Sequence, residues 1–422
     1  MPHTSPPVLP KPLNPAAVAL ELAPFAAGLS WLESGQSHTA RWRSERAASP
    51  PTRVVLADDT FSADQAYRLA CEGTALLWRG DFQNARQLLQ ALARRADRPA
   101  ARVRKKSSAA AGLQAAPAEA FHLHRQAQAQ RARVLSMLLI ELGPDYCIAL
   151  RRAPDLRLAC SEAWGPAGFE ATTSVCALRE LLGVVSAHEW RKKGMAFAAL
   201  GNEPANRIHP HYGVFSPVRG EYVDLVAHAP LPKSTAPLLA FDIGTGTGVL
   251  AAVLARRGVA QVVATDTDPR ALACASENLT RLGWSDRVEV RQASLFPEGR
   301  ASIVVCNPPW LPARASSPLE HAIYDEGSLM LLGFLDGLAA HLAPGGEGWL
   351  ILSDLAEHLG LRTRAALLAA IAAAGLVVVG RVDVRPTHPK ASDAADPLHQ
   401  ARARELTSLW RLKAAGAGSG SP

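Results

Sequence analysis

"AFDIGTGTGVLAAVLA", residues 240–255, decides how the second half of this 422-residue chain is read. Strand-forming residues run into Asp242. Gly244, Gly246 and Gly248 then alternate with Thr245 and Thr247 and lead into an apolar helical pattern. Strand, glycine turn and helix open an α/β unit. Glycines admit positive φ and let the backbone approach a ligand closely. The helix N-terminus adds oriented N–H groups beside that ligand. A loop of this kind serves a dinucleotide, a nucleoside or nothing. Its Gly-x-Gly-x-Gly spacing departs from the Gly-x-Gly-x-x-Gly of a pyrophosphate cradle, which argues against NAD and against a nucleotide-dependent oxidoreductase.

Working outward, "QVVATD" (261–266) is a strand, and a helix begins at Pro269. Asp266 lies one strand–helix–strand unit after the glycines, where a carboxylate accepts both hydroxyls of a ribose. Asp268, directly before Pro269, suits the N-cap and leaves Asp266 for a ligand. "RVEVRQA" and "ASIVVC" are strands, "GSLMLLGFLDGLAAHL" a helix, "GWLILSD" a strand and "RTRAALLAAIAAAG" a helix. "LVVVGRVDVRP" and "LTSLWRLKA" close the pattern without a helix between them, so the last pair is expected to be antiparallel. This alternation predicts a mostly parallel sheet covered on both faces.

The strand of "IVVCNPPWLP" (303–312) ends on Asn307, Pro308, Pro309 and Trp310. Two prolines stop sheet pairing because neither has an N–H to give. That stop is either punctuation or the working edge of an active site. As a site, it offers a side-chain carbonyl at Asn307, a main-chain carbonyl at Pro308, the restricted torsions of Pro308 and Pro309 to pre-set both, and a flat face at Trp310. An amide or aromatic NH2 is a poor nucleophile because its lone pair is delocalised. A site acting on it must hold that nitrogen close and in line, with acceptors on its two N–H groups.

Taken together, "FDIGTGTG", "VVATDTDP" and "IVVCNPPW" resemble a class I S-adenosyl-L-methionine (SAM)-dependent methyltransferase. They are closest to the branch with an Asn/Asp-Pro-Pro-aromatic motif after the fourth strand, the HemK-like glutamine methyltransferases and N-methyltransferases of nucleic-acid bases. The resemblance covers roughly residues 210–413. It implies a Rossmann-like seven-stranded sheet with an antiparallel last strand. It also implies SAM held by Asp242, Gly244–Gly248, Asp266, Ser294, Leu295 and Asn307, with Asn307, Pro308, Pro309 and Trp310 facing the acceptor. "GVFSPVRGEYVDLV" resembles the Arg-Pro-Glu-Thr-Glu segment of HemK-like enzymes, with Pro217, Arg219 and Glu221 as counterparts; this favours a protein glutamine over an RNA base as acceptor. The family commonly has Gly-Asp after the third strand. This chain has Ala293-Ser294-Leu295-Phe296, so the adenine contact is expected to pass to Ser294 or a backbone group.

Residues 236–413 are thus expected to be the methyltransferase domain, 201–235 a connecting segment, 1–25 a Pro-rich disordered tail and 414–422 a second tail. Residues 26–200 read as a mostly helical accessory domain with a linker near 98–116. Within it, 62–97 carry two helical patterns, Ala118–Leu142 a further helix, residues 146–165 two short strands around Ala153-Pro154-Asp155, and 174–200 another helix. Gly80-Asp81 suits a helix stop and an N-cap.

Formal charge is +7, with 45 Lys and Arg against 38 Asp and Glu. This permits a polyanionic partner without requiring one. The basic run at 94–106 is either a solvated linker or a phosphate-contacting segment. No run of about 18 uncharged apolar residues occurs, so no membrane span is expected. The six cysteines show no Cys-x-x-Cys spacing, which fits free thiols in a cytoplasmic compartment. No metal site is expected, and His209-Pro-His211 reads as a loop. "YDEG" (324–327) suits either the substrate mouth or a helix cap. The partner is then a protein or RNA presenting a planar NH2. The alternative of another class is a catalytically silent RNA- or protein-binding module.

Overall fold

The computed structural model describes residues 28–109, 116–168, 172–218, 220–233, 235–315, 318–387, 393 and 396–416. The expected tail at 1–25, the linker centre at 110–115, Arg219 and residues 417–422 lie outside them.

The C-terminal half follows the predicted rhythm. Strands β9 (Leu239–Ile243), β10 (Gln261–Asp266), β11 (Val288–Gln292), β12 (Ala301–Cys306), β13 (Leu342–Ser353), β14 (Leu376–Val384) and β15 (Thr407–Ala414) form one sheet in the order β11-β10-β9-β12-β13-β15-β14. The first five run parallel, and β15 is antiparallel to both its neighbours. Helices α7 (Val249–Arg256), α8 (Pro269–Arg281), α9 (Leu329–His341) and α11 (Arg364–Ala373) are the crossovers, with α6 (Glu221–His228) entering before β9 and the short α10 (Leu355–His358) and α12 (His399–Arg402) in the loops. Central strands such as "SIVVC" are apolar on both faces because helices cover both sides. One core cluster joins β9, β10 and β12 to α6 and α7, the other joins β12 and β13 to α9 and α11. The segment at 201–235 holds half of a two-stranded hairpin, β7 (Met195–Ala196) with β8 (Arg207–Ile208), as well as α6.

The N-terminal half departs from the helical expectation. Helices α1 (Ala63–Cys71), α2 (Phe82–Ala109), α3 (Pro117–Leu135), α4 (Arg157–Trp164) and α5 (Leu178–Lys193) carry most of its regular residues. They pack, however, on a six-stranded sheet ordered β1-β2-β6-β5-β4-β3. Its strands are β1 (Gly28–Glu33), β2 (Gln36–Arg43), β3 (Arg53–Ala57), β4 (Thr74–Trp78), β5 (Leu138–Leu142) and β6 (Ser174–Ala177). "TALLW" was expected in the first helix and "LLIEL" in the third; both are strands. Every residue of β4 is buried, and all but one of β5. Without an exposed face a strand shows no alternation, and a short apolar run cannot be told from buried helix by period. "SVCA" is strand β6, not helix, and the two strands expected within 146–165 are a loop followed by α4. The helix α2 runs through 98–109, where a linker was expected. Asp81 caps α2 by accepting from Gln83 N at 2.8 Å, whereas Gly80 follows a strand rather than ending a helix.

Candidate active site

The strand order turns back on itself between β9 and β12: the chain moves from β9 out through β10 to β11, then returns to β12 on β9's other side. Loops leaving the carboxyl ends of two such neighbours part and open a crevice, the usual place for a ligand in an open α/β sheet. The glycine loop leaves β9 there and the Asn307–Trp310 turn leaves β12.

The glycine loop is held by carboxylates. Gly244, Gly246 and Gly248 have φ of +70°, +56° and +80°, the left-handed region that glycine occupies without strain. Gly248 also lets α7 approach α8, since a Cβ there would lie 3.2 Å from Ala275. At Gly246 a Cβ would meet nothing within 4 Å, so the loop's outer face is open. Asp242 is 1% exposed, and its Oδ2 accepts from Thr245 Oγ at 2.7 Å and from Ala251 N at 3.1 Å. Asp242 was expected against the cofactor; this oxygen instead ties the loop to the first turn of α7. Burial pushes its carboxyl up to about 6, outweighing the two hydrogen bonds, and Asp266 adds like-charge repulsion. Thr247 is buried too, and its carbonyl accepts from Asn278 Nδ2 at 3.1 Å.

Asp266 ends β10. Its Oδ2 accepts from Gly246 N at 3.0 Å and its Oδ1 from Asp268 N at 3.0 Å. The acid and the glycine loop are therefore one hydrogen-bonded unit. Burial raises the Asp266 carboxyl, against the backbone hydrogen bonds that stabilise its charge. Asp268 caps α8 through Arg270 N at 2.9 Å, as expected. Ser294 is exposed, and Leu295 stands at φ +69°, with its carbonyl accepting from Thr265 Oγ at 2.7 Å.

Asn307 follows buried Cys306 at the end of β12 and is half-buried. Its Oδ1 accepts from Trp310 Nε1 at 2.9 Å. That bond fixes which face of the amide carries oxygen and pins the indole, which packs against both core clusters. A carbonyl oxygen has a second lone pair, so Oδ1 keeps acceptor capacity. Pro308 is buried and Pro309 half-buried.

Of the two roles expected of "YDEG", Asp325 takes the helix cap, accepting from Met330 N (3.0 Å) and Leu331 N (3.2 Å) of α9, and two further features were not foreseen. The loop after Trp310 closes on itself, with Asp325 N donating to Leu311 O at 2.9 Å. And the N-terminal half reaches this loop: Phe121 of α3 is buried with Leu311, Leu355 and Leu359, while Arg125 donates to Glu320 at 3.2 Å and to the Arg314 carbonyl at 2.6 Å and lies 3.9 Å from the Tyr324 ring centroid. Only the tertiary fold brings residues 121 and 311 together. His209 and His211 also bridge the halves. His209 Nδ1 lies 2.6 Å from Arg191 O and His211 Nε2 2.8 Å from Glu277. Among the described residues no group of three His, Cys, Asp or Glu is placed to hold a metal, and no helix is long and apolar enough to cross a membrane.

Comparison with known proteins bears on this half of the chain. Residues 232–312 match the family model described as ribosomal protein L11 methyltransferase (PrmA). A release factor glutamine methyltransferase of Cereibacter sphaeroides is 36% identical over 160 residues, covering 34% of this chain and 54% of the relative. A ribosomal protein L11 methyltransferase of Pelotomaculum thermopropionicum is 38% identical over 144 residues, 33% of this chain and 39% of that one. A tRNA1(Val) (adenine(37)-N6)-methyltransferase of Cytophaga hutchinsonii is 27% identical over 136 residues, 31% of this chain and 57% of that one. The chain spans about half the length of the curated relatives it matches. The C-terminal sheet carries a methyltransferase domain of class I, the SAM-dependent class, similar to those that modify protein and RNA nitrogens.

Proposed function

We propose that the chain is a SAM-dependent N-methyltransferase acting on a planar amide or amino nitrogen, with a protein glutamine side chain as the favoured acceptor. One constellation carries this reading: the Asn307–Trp310 turn and the Gly244–Gly248 loop leave adjacent strands at the point where the sheet order reverses.

The residues present fit the cofactor. The open face at Gly246 admits a ligand against the backbone. Asp266, whose oxygens each accept one N–H, keeps lone pairs for ribose hydroxyls. Bound SAM supplies an electrophilic methyl group. The protein's work is then on the acceptor. Asn307 Oδ1, oriented by Trp310, and the Pro308 carbonyl accept the two N–H bonds of the acceptor and turn its nitrogen toward the methyl carbon. Those two oxygens would stabilise the positive charge growing on nitrogen as its bond to the methyl carbon replaces the sulfonium S–C bond, the sulfur leaving as a neutral thioether. The nitrogen then sheds its proton to solvent. The Trp310 face stacks the planar group. A reducing cytoplasmic setting suits the six free thiols, four of them buried.

A second reading, the exocyclic amine of an RNA base, is supported by the similarity to a tRNA1(Val) (adenine(37)-N6)-methyltransferase. Labelled SAM with cell extract, followed by RNase or protease, separates the two: a glutamine acceptor leaves label that survives RNase and becomes small under protease. Asn307→Ala tests the transfer reading itself. Turnover is expected to fall about 100- to 1,000-fold, the usual cost of losing one aligned group that stabilises developing charge, while SAM affinity measured by calorimetry holds. Undiminished turnover discards the role given to Asn307.

A further inference from the structure

The side of α9 turned away from the core is apolar where the helix meets the crevice. Leu331, Phe334, Leu335 and Leu338 bury one side of it against β12 and β13. Leu329 and Leu332 stand on the opposite side, three residues apart and so one above the other, and are 72% and 40% exposed. Asp336 continues the same stripe one turn on and is exposed too. Ile323, 38% exposed, adds an apolar group from the loop that leads into the helix. Two contacts place the stripe beside the site. The loop at 323–325 pairs with Leu311, the residue after Trp310, through Leu311 N to Ile323 O at 3.2 Å and Asp325 N to Leu311 O at 2.9 Å. Met330, next to Leu329, lies over the glycine loop: a Cβ on Gly244 would come within 2.6 Å of its Cε. The start of α9 thus joins the acceptor turn to the cofactor loop, and the stripe rises from it.

Exposed apolar groups gathered beside a crevice mark a place where a partner docks. Charge says which partner. From Ile323 to Gly337 the chain carries Asp325, Glu326 and Asp336 and no lysine, arginine or histidine, although its formal charge is +7. The nearby Arg125 is spent on Glu320. Like charge across a contact repels a polyanion, and leucine offers a phosphate no donor. We infer that Leu329 and Leu332 are specificity residues that dock an apolar side chain beside the acceptor glutamine of a protein, with Glu326 and Asp336 selecting a basic residue next to it. This rests on the methyl-transfer reading and deepens its protein branch.

The test uses the full chain with S-adenosylhomocysteine and two fluorescein-labelled peptides, followed by anisotropy. Each peptide holds a central glutamine between leucines, one with lysine and the other with glutamate at both flanks. Wild type is expected to bind the lysine peptide about tenfold more tightly. Leu329→Asn, at a solvent-exposed position, is expected to weaken that binding several-fold while S-adenosylhomocysteine affinity by calorimetry holds. Asp336→Lys is expected to cut the preference for lysine flanks several-fold, and more so at low salt. No preference in wild type, or unchanged affinity and preference in both variants, overturns the inference. Loss of S-adenosylhomocysteine affinity in Leu329→Asn also overturns it, since the stripe then supports the cofactor wall. So does a dimer, seen by sedimentation, that Leu329→Asn dissolves, because a second copy then covers the stripe. Methyl label carried by wild type from SAM into the RNA of an extract overturns it and leaves methyl transfer standing. Lysine-peptide binding that depends on Leu329, in a chain that transfers no methyl group to any extract component, supports the docking surface and sinks the transfer reading instead.

Discussion

Asp242→Asn should make the protein more stable, although it removes a charged hydrogen-bond acceptor from the centre of the glycine loop. Asp242 is 1% exposed and its carboxyl is raised from 3.8 to about 6, with burial the leading cause. A raised carboxyl means that the folded state binds the proton more tightly than the unfolded chain does. Stability therefore falls as pH rises through the window from about 4 to about 6, and above it the ionised group is a constant penalty. The difference between 3.8 and about 6 corresponds to about 3 kcal/mol at pH 8 and about half that at pH 5.

Asparagine presents an oxygen to the same two donors, Thr245 Oγ and Ala251 N, and carries no charge to desolvate. The variant is expected to melt about 6–12 °C higher than wild type at pH 8, at roughly 2–4 °C per kcal/mol for a domain of this size, and by about half as much at pH 5. Thermal unfolding at both pH values measures it. SAM added at saturation should raise the melting point of wild type more than that of the variant, because the ionised aspartate at the end of β9 favours a cationic ligand nearby. Destabilisation at pH 8, or the same gain at pH 5 and pH 8, would refute the reasoning, since either result means that desolvation of this carboxylate is not the dominant effect.

Asp266→Ala removes the acceptor of Gly246 N along with the proposed ribose contact, so SAM affinity by calorimetry should weaken at least tenfold, equivalent to about 1.4 kcal/mol; unchanged affinity removes the ribose assignment. Arg125→Ala removes the bonds to Glu320 and the Arg314 carbonyl and the cation over Tyr324. It should raise KM for the acceptor several-fold while SAM affinity holds, and a loss of SAM affinity instead would mean that α3 supports the fold rather than the mouth.

The methyltransferase half was legible because each of its crossovers is punctuated. Gly248 opens α7, Asp268 and Pro269 open α8, and Pro308–Pro309 end β12. These residues act locally, through φ, a missing N–H or a short side chain, and so show in the sequence. Around β4 and β5 the marks are Gly73, Gly80 and Gly143-Pro144, which bound the apolar runs without saying whether each is helix or strand. Each is flanked by a helix within a few residues and buried on both faces, so helix and strand merge into one apolar run. The same distinction divides the site. Asp266 and Asn307 were visible from position in a motif. That Asp242 Oδ2 ties the glycine loop to α7 and that Trp310 donates to Asn307 are facts of packing, which no spacing encodes.

Packing also gives residues 28–193 a role that their sequence did not disclose. They meet the methyltransferase sheet at both rims of the crevice. On the cofactor side, Arg191 of α5 pairs with Glu277 of α8 at 2.7 Å, and Glu45 pairs with Arg270 at 3.4 Å; α8 is the helix that begins beside Asp266. On the acceptor side, Phe121 and Arg125 of α3 hold the loop that follows Trp310. The two rims differ in kind. The first is made of partly exposed ion pairs, each worth at most about 1 kcal/mol. The second buries a whole phenylalanine, worth about 1.5–3 kcal/mol. The N-terminal half is therefore held more firmly at the loop after Trp310 than along α8. A change that loosens α3 should disturb acceptor binding before it disturbs cofactor binding, which is why the Arg125 variant, read as KM against SAM affinity, distinguishes a domain that builds the mouth from one that is merely attached to it.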